Sequence, residues 1–199
     1  MSADGVMQQP DLTQWRKSER DRLIKERLAL SVDTRKQNGD RIAGHLDQAI
    51  GDVSGRVVSG YWPFRGEPDL REWLERLDSR GGRCALPVVV KAREPLVFRI
   101  WRSGDKLERG VWDIPVPAAG EEVSPDVVIA PLVGYDRGLY RLGYGGGVFD
   151  RTLAAMRKRP LIIGVGYSQF KMETIHPEPY DIPMDKIVTE IGIVARSAD

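Results

Sequence analysis

Residue types that could handle phosphate are concentrated in one stretch of the chain, positions 135–150. Arg141 is followed by residues 143–147, which read Gly-Tyr-Gly-Gly-Gly, and then by Asp150. Backbone amides of a glycine-rich turn can bind phosphate, and a guanidinium can pair with it. An aspartate can hold the metal ion that accompanies phosphate. This spacing therefore predicts a phosphate site, with Arg141 on phosphate and Asp150 on a metal.

Known nucleotide motifs do not account for this stretch. It lacks the Gly-Lys-Ser/Thr of a Walker A loop, and Val148 stands where a dinucleotide fingerprint needs its last glycine. Two plainer interpretations stay open. The glycines could form a flexible surface loop, and Asp150 could simply cap the following helix, although Leu153 stands where a capping box needs Glu or Gln.

The elements around the glycines are predicted from hydrophobic spacing. An apolar run over 127–133 indicates a buried strand before the glycines, and residues 151–158 indicate a helix that Pro160 ends. Other helices are predicted over 12–30, from a cap at Asp33 to Ile50, and over 69–79. Further strands are predicted over 56–62, 84–90, 96–101, 161–167 and 186–194, an irregular connection over 102–124 and a Pro-rich loop over 174–185.

Strands that alternate with helices predict an α/β fold. We expect three layers, with a largely parallel, Rossmann-like sheet covered by helices on both faces. Ligands of such folds bind beyond the carboxyl ends of strands. Residues 143–147, which we call the glycine stretch, follow one of those ends. Residues 1–10 are predicted to be a disordered tail and residues 11–199 a single domain.

Composition limits the partners and the location. The 199 residues carry a net charge of +1, so nothing favours nucleic acid, and no apolar run is long enough for a membrane span. Cys84 is the only cysteine, which excludes an intrachain disulfide, and residues 1–10 lack the apolar core of a signal peptide. We expect a cytoplasmic monomer without nucleic-acid or membrane partners.

The first predicted helix carries basic residues beside its apolar stripe. Arg16, Arg20 and Arg27 recur at helical spacing, which places their guanidinium groups on the border between core and solvent. Such cations could reach a ligand. They could equally form, with Lys17, an ordinary solvated helix face.

Acidic residues outside the glycine stretch suggest two further contacts. Glu67 follows Tyr61 and Trp62, and this set could stack a flat heterocycle and accept its ring N–H groups, or Glu67 could face solvent. Either Asp181 or Asp185 could supply a second oxygen ligand to Mg²⁺, or both could form turns.

Residues 138–150, Gly-Leu-Tyr-Arg-Leu-Gly-Tyr-Gly-Gly-Gly-Val-Phe-Asp, resemble a known signature. It is that of the 5-formyltetrahydrofolate cyclo-ligases, or 5,10-methenyltetrahydrofolate synthetases, whose form is Gly-x-Arg-Leu-Gly-x-Gly-x-Gly-Tyr-Tyr-Asp. Residues 16–20, 61–69 and 180–185 resemble, in the same order, the family's N-terminal basic helix, folate-side segment and C-terminal acidic motif. The resemblance covers most of the chain.

The resemblance implies an ATP-dependent ring closure. In this reaction the formyl oxygen of 5-formyltetrahydrofolate takes the γ-phosphoryl group of ATP, the neighbouring amine attacks, and phosphate leaves. The products are 5,10-methenyltetrahydrofolate, ADP and phosphate. Reduced folate and ATP are thus the implied substrates, with Mg²⁺ as the implied cofactor.

The resemblance also implies a role for individual positions. It assigns folate contacts to Trp62 and Glu67 and Mg²⁺ contacts to Asp150 and Asp181. The residues that it assigns to ATP are Arg16, Lys17, Ser18, Glu19, Arg20, Arg141, Leu142, Gly143, Tyr144, Gly145, Gly146, Gly147, Val148 and Phe149.

The chain departs from the family pattern at two places. Val148 and Phe149 replace the Tyr-Tyr pair, and Arg16 replaces a lysine. Two alternatives to the cyclo-ligase stay open, and the loss of both hydroxyl groups motivates the first. One is a paralogue that uses ATP on another amide or formamide, and the other is a non-catalytic binding module with the same fold.

Overall fold

The computed structural model describes residues 9–195, with side chains from residue 11 onward. The predicted tail over residues 1–10 lies almost wholly outside the described residues. The first helix already begins at Gln9. None of the described helices combines the length and the apolarity needed to cross a membrane.

The described residues alternate between helices and short strands, as predicted. The helices are α1 (Gln9–Ala29), α2 (Val32–Ile50), α3 (Arg71–Glu75) and α4 (Val148–Ala155), with 3₁₀ turns at Asp78–Arg80, Val111–Asp113 and Ser168–Phe170. The strands are β1 (Val57–Ser59), β2 (Arg83–Val88), β3 (Val97–Ile100), β4 (Leu107–Arg109), β5 (Pro115–Pro117), β6 (Glu122–Val123), β7 (Val127–Pro131), β8 (Gly134–Tyr135), β9 (Arg141–Leu142), β10 (Leu161–Val165), β11 (Lys186–Thr189) and β12 (Gly192–Ala195).

The central sheet has eight strands in the order β12-β11-β10-β7-β1-β2-β3-β6. The five strands from β11 to β2 pair in parallel, and the outer strands β12, β3 and β6 pair antiparallel. The fold prediction of a largely parallel α/β sheet is therefore confirmed, with antiparallel edges in addition.

Helices cover both faces of this sheet. Along β7, Val127 and Ile129 pack into one core with Leu23 of α1, Leu46 of α2 and Trp73 of α3. The intervening residues of β7 pack into a second core that includes Leu153 of α4. Because successive side chains of a strand point to opposite faces, these two cores define the three predicted layers.

Several predicted element boundaries were wrong, for local reasons. The predicted strand over 56–62 ends at Ser59, and the chain then passes close to α3 at Gly60, where a Cβ would lie 2.4 Å from Leu74 Cδ2. Ser31, not Asp33, is the N-cap of α2, and its side chain accepts from the Thr34 N–H. The predicted irregular connection over 102–124 contains a β4–β5 hairpin and β6, and the predicted last strand is the β11–β12 hairpin.

Parallel pairing brings two of the sequence-predicted segments to one edge of the sheet. Strands β1 and β7 are adjacent, with Val58 opposite Val127. Their carboxyl ends therefore lie side by side. The segment that leads to Glu67 leaves from β1, and the glycine stretch leaves from the region after β7, beyond the small β8–β9 pair.

Candidate active site

A cavity of about 330 Å³ opens at this edge of the sheet. Residues from α1, the segment after β1, the β4–β5 hairpin, the glycine stretch and the loop before β11 line it. The predicted site residues that line it are Arg16, Arg20, Trp62, Glu67, Arg141, Leu142, Gly143, Tyr144, Gly145, Gly146, Gly147, Val148, Phe149, Asp150 and Asp181.

Three of the residues assigned to ATP do not line this cavity. Lys17 and Ser18 are exposed on α1. Glu19 pairs with Arg22 on the surface of the same helix, 2.6 Å apart. Contact between these three residues and ATP remains a prediction.

The glycine stretch leads directly into α4. Gly147 is the N-cap of α4 in the left-handed region, at φ 59°, and no side chain caps the helix. The alternative that Asp150 is the cap is therefore wrong, since Asp150 lies within the first turn. A helix end without a side-chain cap leaves backbone N–H groups for an anion.

Two arginines hold carbonyl groups of the glycine stretch. Arg20 Nε donates to the Gly143 oxygen at 2.7 Å, and Arg151 Nη2 donates to the Gly146 oxygen at 2.6 Å. Burial, and then the neighbouring Arg16, lower the pKa of Arg20. A Cβ on Gly145, at φ 90°, would lie 3.2 Å from the Arg20 guanidinium, so glycine allows this close approach. Because cations bind these two carbonyl groups, the stretch can offer backbone amides to a phosphate.

Arg141 and Asp150, predicted to divide phosphate and metal between them, form an ion pair. Arg141 Nη2 lies 2.9 Å from Asp150 Oδ2, and Asp150 Oδ1 accepts from the Ile182 N–H at 3.1 Å. Burial lowers the pKa of Arg141, against the opposing effect of Asp150 and Asp181. Its Nε is buried without a hydrogen-bond partner among the described residues, and its Cζ lies 5.1 Å from the Phe149 ring centroid.

Arg16 makes a second ion cluster at the same end of the cavity. Its guanidinium lies 2.7 Å from Asp181 and 3.2 Å from Glu178, and it also donates to the His176 oxygen. Arg16 is 8% exposed and Arg27 is 1% exposed, so the prediction that they lie on the border with solvent was wrong. Glu178 was not predicted as a site residue, although it lies in the same acidic segment as Asp181.

The carboxylates at this end are too few to hold Mg²⁺ by themselves. Among residues 9–195, no group of three or more His, Cys, Asp and Glu side chains could hold a metal ion. Asp150 and Asp181 both line the cavity with oxygen donors, and Mg²⁺ is commonly held by one or two carboxylates together with phosphate and water. Asp185 lies elsewhere, bound to Arg159 and to the Ile162 N–H. The donor set therefore fits Mg²⁺ that arrives with phosphate.

Another part of the cavity wall, which meets the glycine stretch at Tyr144, contains one buried carboxylate among aromatic rings. Glu67 is 5% exposed, and its Oε2 accepts from the Phe64 N–H at 2.9 Å. Burial raises the pKa of Glu67 to about 7. Tyr61, Trp62 and Phe64 line the cavity beside it, and Trp62 packs edge-on against Trp101.

A buried arginine and a tyrosine complete this end, and the sequence analysis did not connect them. Arg27 donates to the Arg65 and Leu132 carbonyls and to the Tyr144 hydroxyl, which in turn donates to Glu67 Oε1 at 2.8 Å. The position of Arg27 beside the apolar stripe of α1 was the one sequence signal that Arg27 could reach this site. The β4–β5 hairpin adds another wall that includes Trp112, at 60% exposure.

Known proteins resemble this chain over most of its length. A 5-formyltetrahydrofolate cyclo-ligase of Mycolicibacterium smegmatis is 30% identical over 182 residues, which cover 87% of this chain and 93% of that protein. One of Escherichia coli is 29% identical over 170 residues, 82% of this chain and 93% of that protein.

Solved structures agree. The NMR structure of Aquifex aeolicus 5,10-methenyltetrahydrofolate synthetase matches with a TM-score of 0.77 at 29% identity, over 92% of this chain and 96% of that one. A 5,10-methenyltetrahydrofolate synthetase from Mycoplasma pneumoniae, at 22% identity and a TM-score of 0.73, supports the fold over 88% of this chain and 98% of that one. The sequence model of the 5-formyltetrahydrofolate cyclo-ligase family matches residues 12–190. The chain belongs to this family.

Proposed function

We propose that this chain converts 5-formyltetrahydrofolate to 5,10-methenyltetrahydrofolate, with ATP consumed and ADP and phosphate released. The observation that carries the proposal is the pairing of two different ends in one cavity. One end has an uncapped helix N-terminus, glycine amides and arginines, and the other has the buried Glu67 among aromatic rings. The first suits a triphosphate, and the second suits a flat heterocycle with N–H donors.

ATP would bind at the glycine end. The amides of residues 143–147 and the guanidinium groups of Arg16, Arg20 and Arg141 would neutralise the phosphate charge. Asp150 and Asp181 would hold Mg²⁺, which supplies further neutralisation of the phosphates when it is bound. The arginines now paired with these carboxylates would then turn toward phosphate oxygens.

The folate would bind at the end that contains Glu67, Tyr61, Trp62 and Phe64, which we call the aromatic end. An ionised Glu67 has lone pairs that can accept N–H groups of the pterin ring, and Trp62 offers a flat surface beside it. Because Glu67 is buried, a ligand N–H that pairs with it meets little competition from water.

The chemistry then requires alignment more than a protein nucleophile. An amide-type oxygen is a poor leaving group, so the formyl oxygen would first attack the γ-phosphorus of ATP. The bond between the γ-phosphorus and the oxygen that bridges it to the β-phosphate would break, and ADP would leave. The neighbouring amine would next form the C–N bond of the new ring, and the phosphorylated oxygen would leave as phosphate. Holding both substrates in line within one cavity is the enzyme's main contribution.

The proposal is tested with the pure chain, 5-formyltetrahydrofolate, ATP and Mg²⁺. We expect methenyl absorbance to appear together with an equal amount of ADP. If neither product forms, the proposal fails. ADP release that depends on another formamide, but not on the folate, would instead support a paralogous enzyme, and nucleotide binding without turnover would support a binding module. The monomeric state and the cytoplasmic location remain predictions.

A further inference from the structure

We propose that Tyr144 is a positioning residue for the folate, although it belongs to the glycine stretch assigned to ATP. Its hydroxyl would hold the Glu67 carboxylate in the orientation that receives the pterin. This inference rests on the proposed function and names a residue that sets its substrate affinity.

The hydrogen bonds of Glu67 define that orientation. Tyr144 donates to Oε1 at 2.8 Å, and the Phe64 N–H donates to Oε2 at 2.9 Å. Each carboxylate oxygen thus has one fixed protein donor. A carboxylate oxygen can accept more than one hydrogen bond. Each oxygen can therefore accept one further N–H group, so the carboxylate can bind two parallel ring N–H groups.

The tyrosine hydroxyl is itself held in place. It accepts from Arg27 Nη2 at 2.5 Å, and Arg27 is anchored by the Arg65 and Leu132 carbonyls. The Tyr144 ring also packs against Phe64, with centroids 5.8 Å apart. Arg27 therefore reaches Glu67 by hydrogen bonds through Tyr144, which makes the hydroxyl the link between a buried cation and a buried anion.

The charges around Glu67 decide what the hydroxyl contributes. Glu67 interacts electrostatically with Arg27, Tyr61, Tyr144 and Tyr167. Burial raises the pKa of Glu67, whereas Arg27, Tyr144 and the Phe64 N–H oppose that rise. Burial also raises the pKa of Tyr144, so its hydroxyl stays protonated and remains a donor. Loss of this donor would make the ionised carboxylate both less oriented and harder to maintain.

Tyr144→Phe tests the inference, because it removes the hydroxyl and keeps the ring. Because the variant leaves the pterin-binding carboxylate less oriented and harder to ionise, we expect the KM for 5-formyltetrahydrofolate to rise about 10-fold. The KM for ATP should stay within about 2-fold, since the loop amides remain. The acid limb of kcat/KM for the folate should move to higher pH. An unchanged folate KM, or equal increases in both KM values, would overturn the inference.

Tyr140→Phe is the matched control, since Tyr140 lies in the same segment but does not line the cavity. It should change neither KM. In a Glu67→Gln background, Tyr144→Phe should add little further loss, because the group that it orients is already altered. Full additivity would contradict the proposed link.

A measurement without turnover separates this inference from the proposed function. The ¹³C NMR shift of the Glu67 carboxyl reports its pKa in wild type and in Tyr144→Phe, and that pKa should be higher in the variant. Wild type that produces no methenyl product refutes the proposed function. Wild type that is active, with equal Glu67 pKa values in the two proteins, refutes the role of Tyr144 alone.

Discussion

The two ends of the cavity handle charge in opposite ways. At the glycine end, Arg16 pairs with Asp181 and Arg141 with Asp150, so these two cations already face anions. At the aromatic end, the Glu67 carboxylate is held by a hydroxyl and a backbone N–H. The first end must exchange partners when a ligand binds, whereas the second is arranged in advance.

This difference between the two ends should affect the free energy of ligand binding at each. Breaking one side of a buried ion pair is costly, so a phosphate that takes an arginine leaves a carboxylate in need of a new cation. Binding at the glycine end should therefore depend on a cation and on salt. Binding at the aromatic end should depend on one protonation state and little on salt.

The largest expected effect is at Asp150. In Asp150→Asn, Arg141 loses its anionic partner. The proposed Mg²⁺ site would also lose one of its two carboxylates. We expect kcat to fall by at least about 100-fold, in the range seen when an electrostatic contact to a transition state is lost. Steady-state assays over a Mg²⁺ series, with circular dichroism to confirm folding, measure this effect.

Asp185→Asn is its matched control. Asp185 also accepts from an arginine and from a backbone N–H, but it lies outside the cavity. Thermal stability should fall in both variants and turnover only in Asp150→Asn. Equal losses of turnover would mean that the Asp150 pair is structural.

The next effect should be confined to the aromatic end. Glu67→Gln removes the charge that would accept the pterin, and a charge-assisted hydrogen bond is worth roughly 1.5–3 kcal/mol. We expect kcat/KM for the folate to fall about 10- to 100-fold while the KM for ATP changes little. Glu75→Gln, on the exposed face of α3, is the control. A parallel rise in both KM values would show that the two ends are not separate.

The pH dependence should distinguish the ends further. The pKa of Glu67 is raised to about 7, so its ionised form is present above that pH and is lost below it. At saturating ATP, kcat/KM for the folate should fall about 10-fold from about pH 8 to about pH 6. Glu67→Gln should remove this limb, and a limb that survives in the variant belongs to another group.

The smallest effect is expected at Arg151, which binds a loop carbonyl rather than the ligand. Arg151→Met frees the Gly146 oxygen and should loosen the amides beside it. One hydrogen bond of about 1 kcal/mol predicts a rise of about 3- to 5-fold in the KM for ATP, with the folate KM unchanged. Arg157→Met, at an exposed position just beyond α4, should have no effect. A change in the folate KM instead would show that Arg151 acts through the Tyr144–Glu67 contact rather than through the loop amides.

Sequence reasoning was most successful where local pattern and structure coincide. The apolar run that became β7 was predicted to be a buried strand, and its side chains are buried on both faces of the sheet. The parallel sheet was predicted from the alternation of strands with helices. The glycines were recognised because their spacing is local. Arg141, Asp150 and the 143–147 stretch line one cavity as that spacing suggested.

Sequence reasoning failed where a local pattern fits more than one conformation and where the deciding contact is distant along the chain. Asp150 was open to a capping role because its spacing suits one, but Gly147 adopts the left-handed conformation one turn earlier. Among the described residues, the hydrogen-bonded link between Arg27 and Glu67 passes through Tyr144, which is 117 and 77 residues away from them. Residues 102–124 lack periodicity because their strands are too short to show it.

The single cysteine has a practical consequence for all of these measurements. Cys84 lies in β2 at 3% exposure, and burial raises the pKa of its thiol to about 12. Thiol reagents require an accessible thiolate, so the native chain should stay unlabelled. A cysteine introduced at Val111, a half-exposed position on the hairpin wall, would then carry a fluorophore free of background and report when either end of the cavity fills.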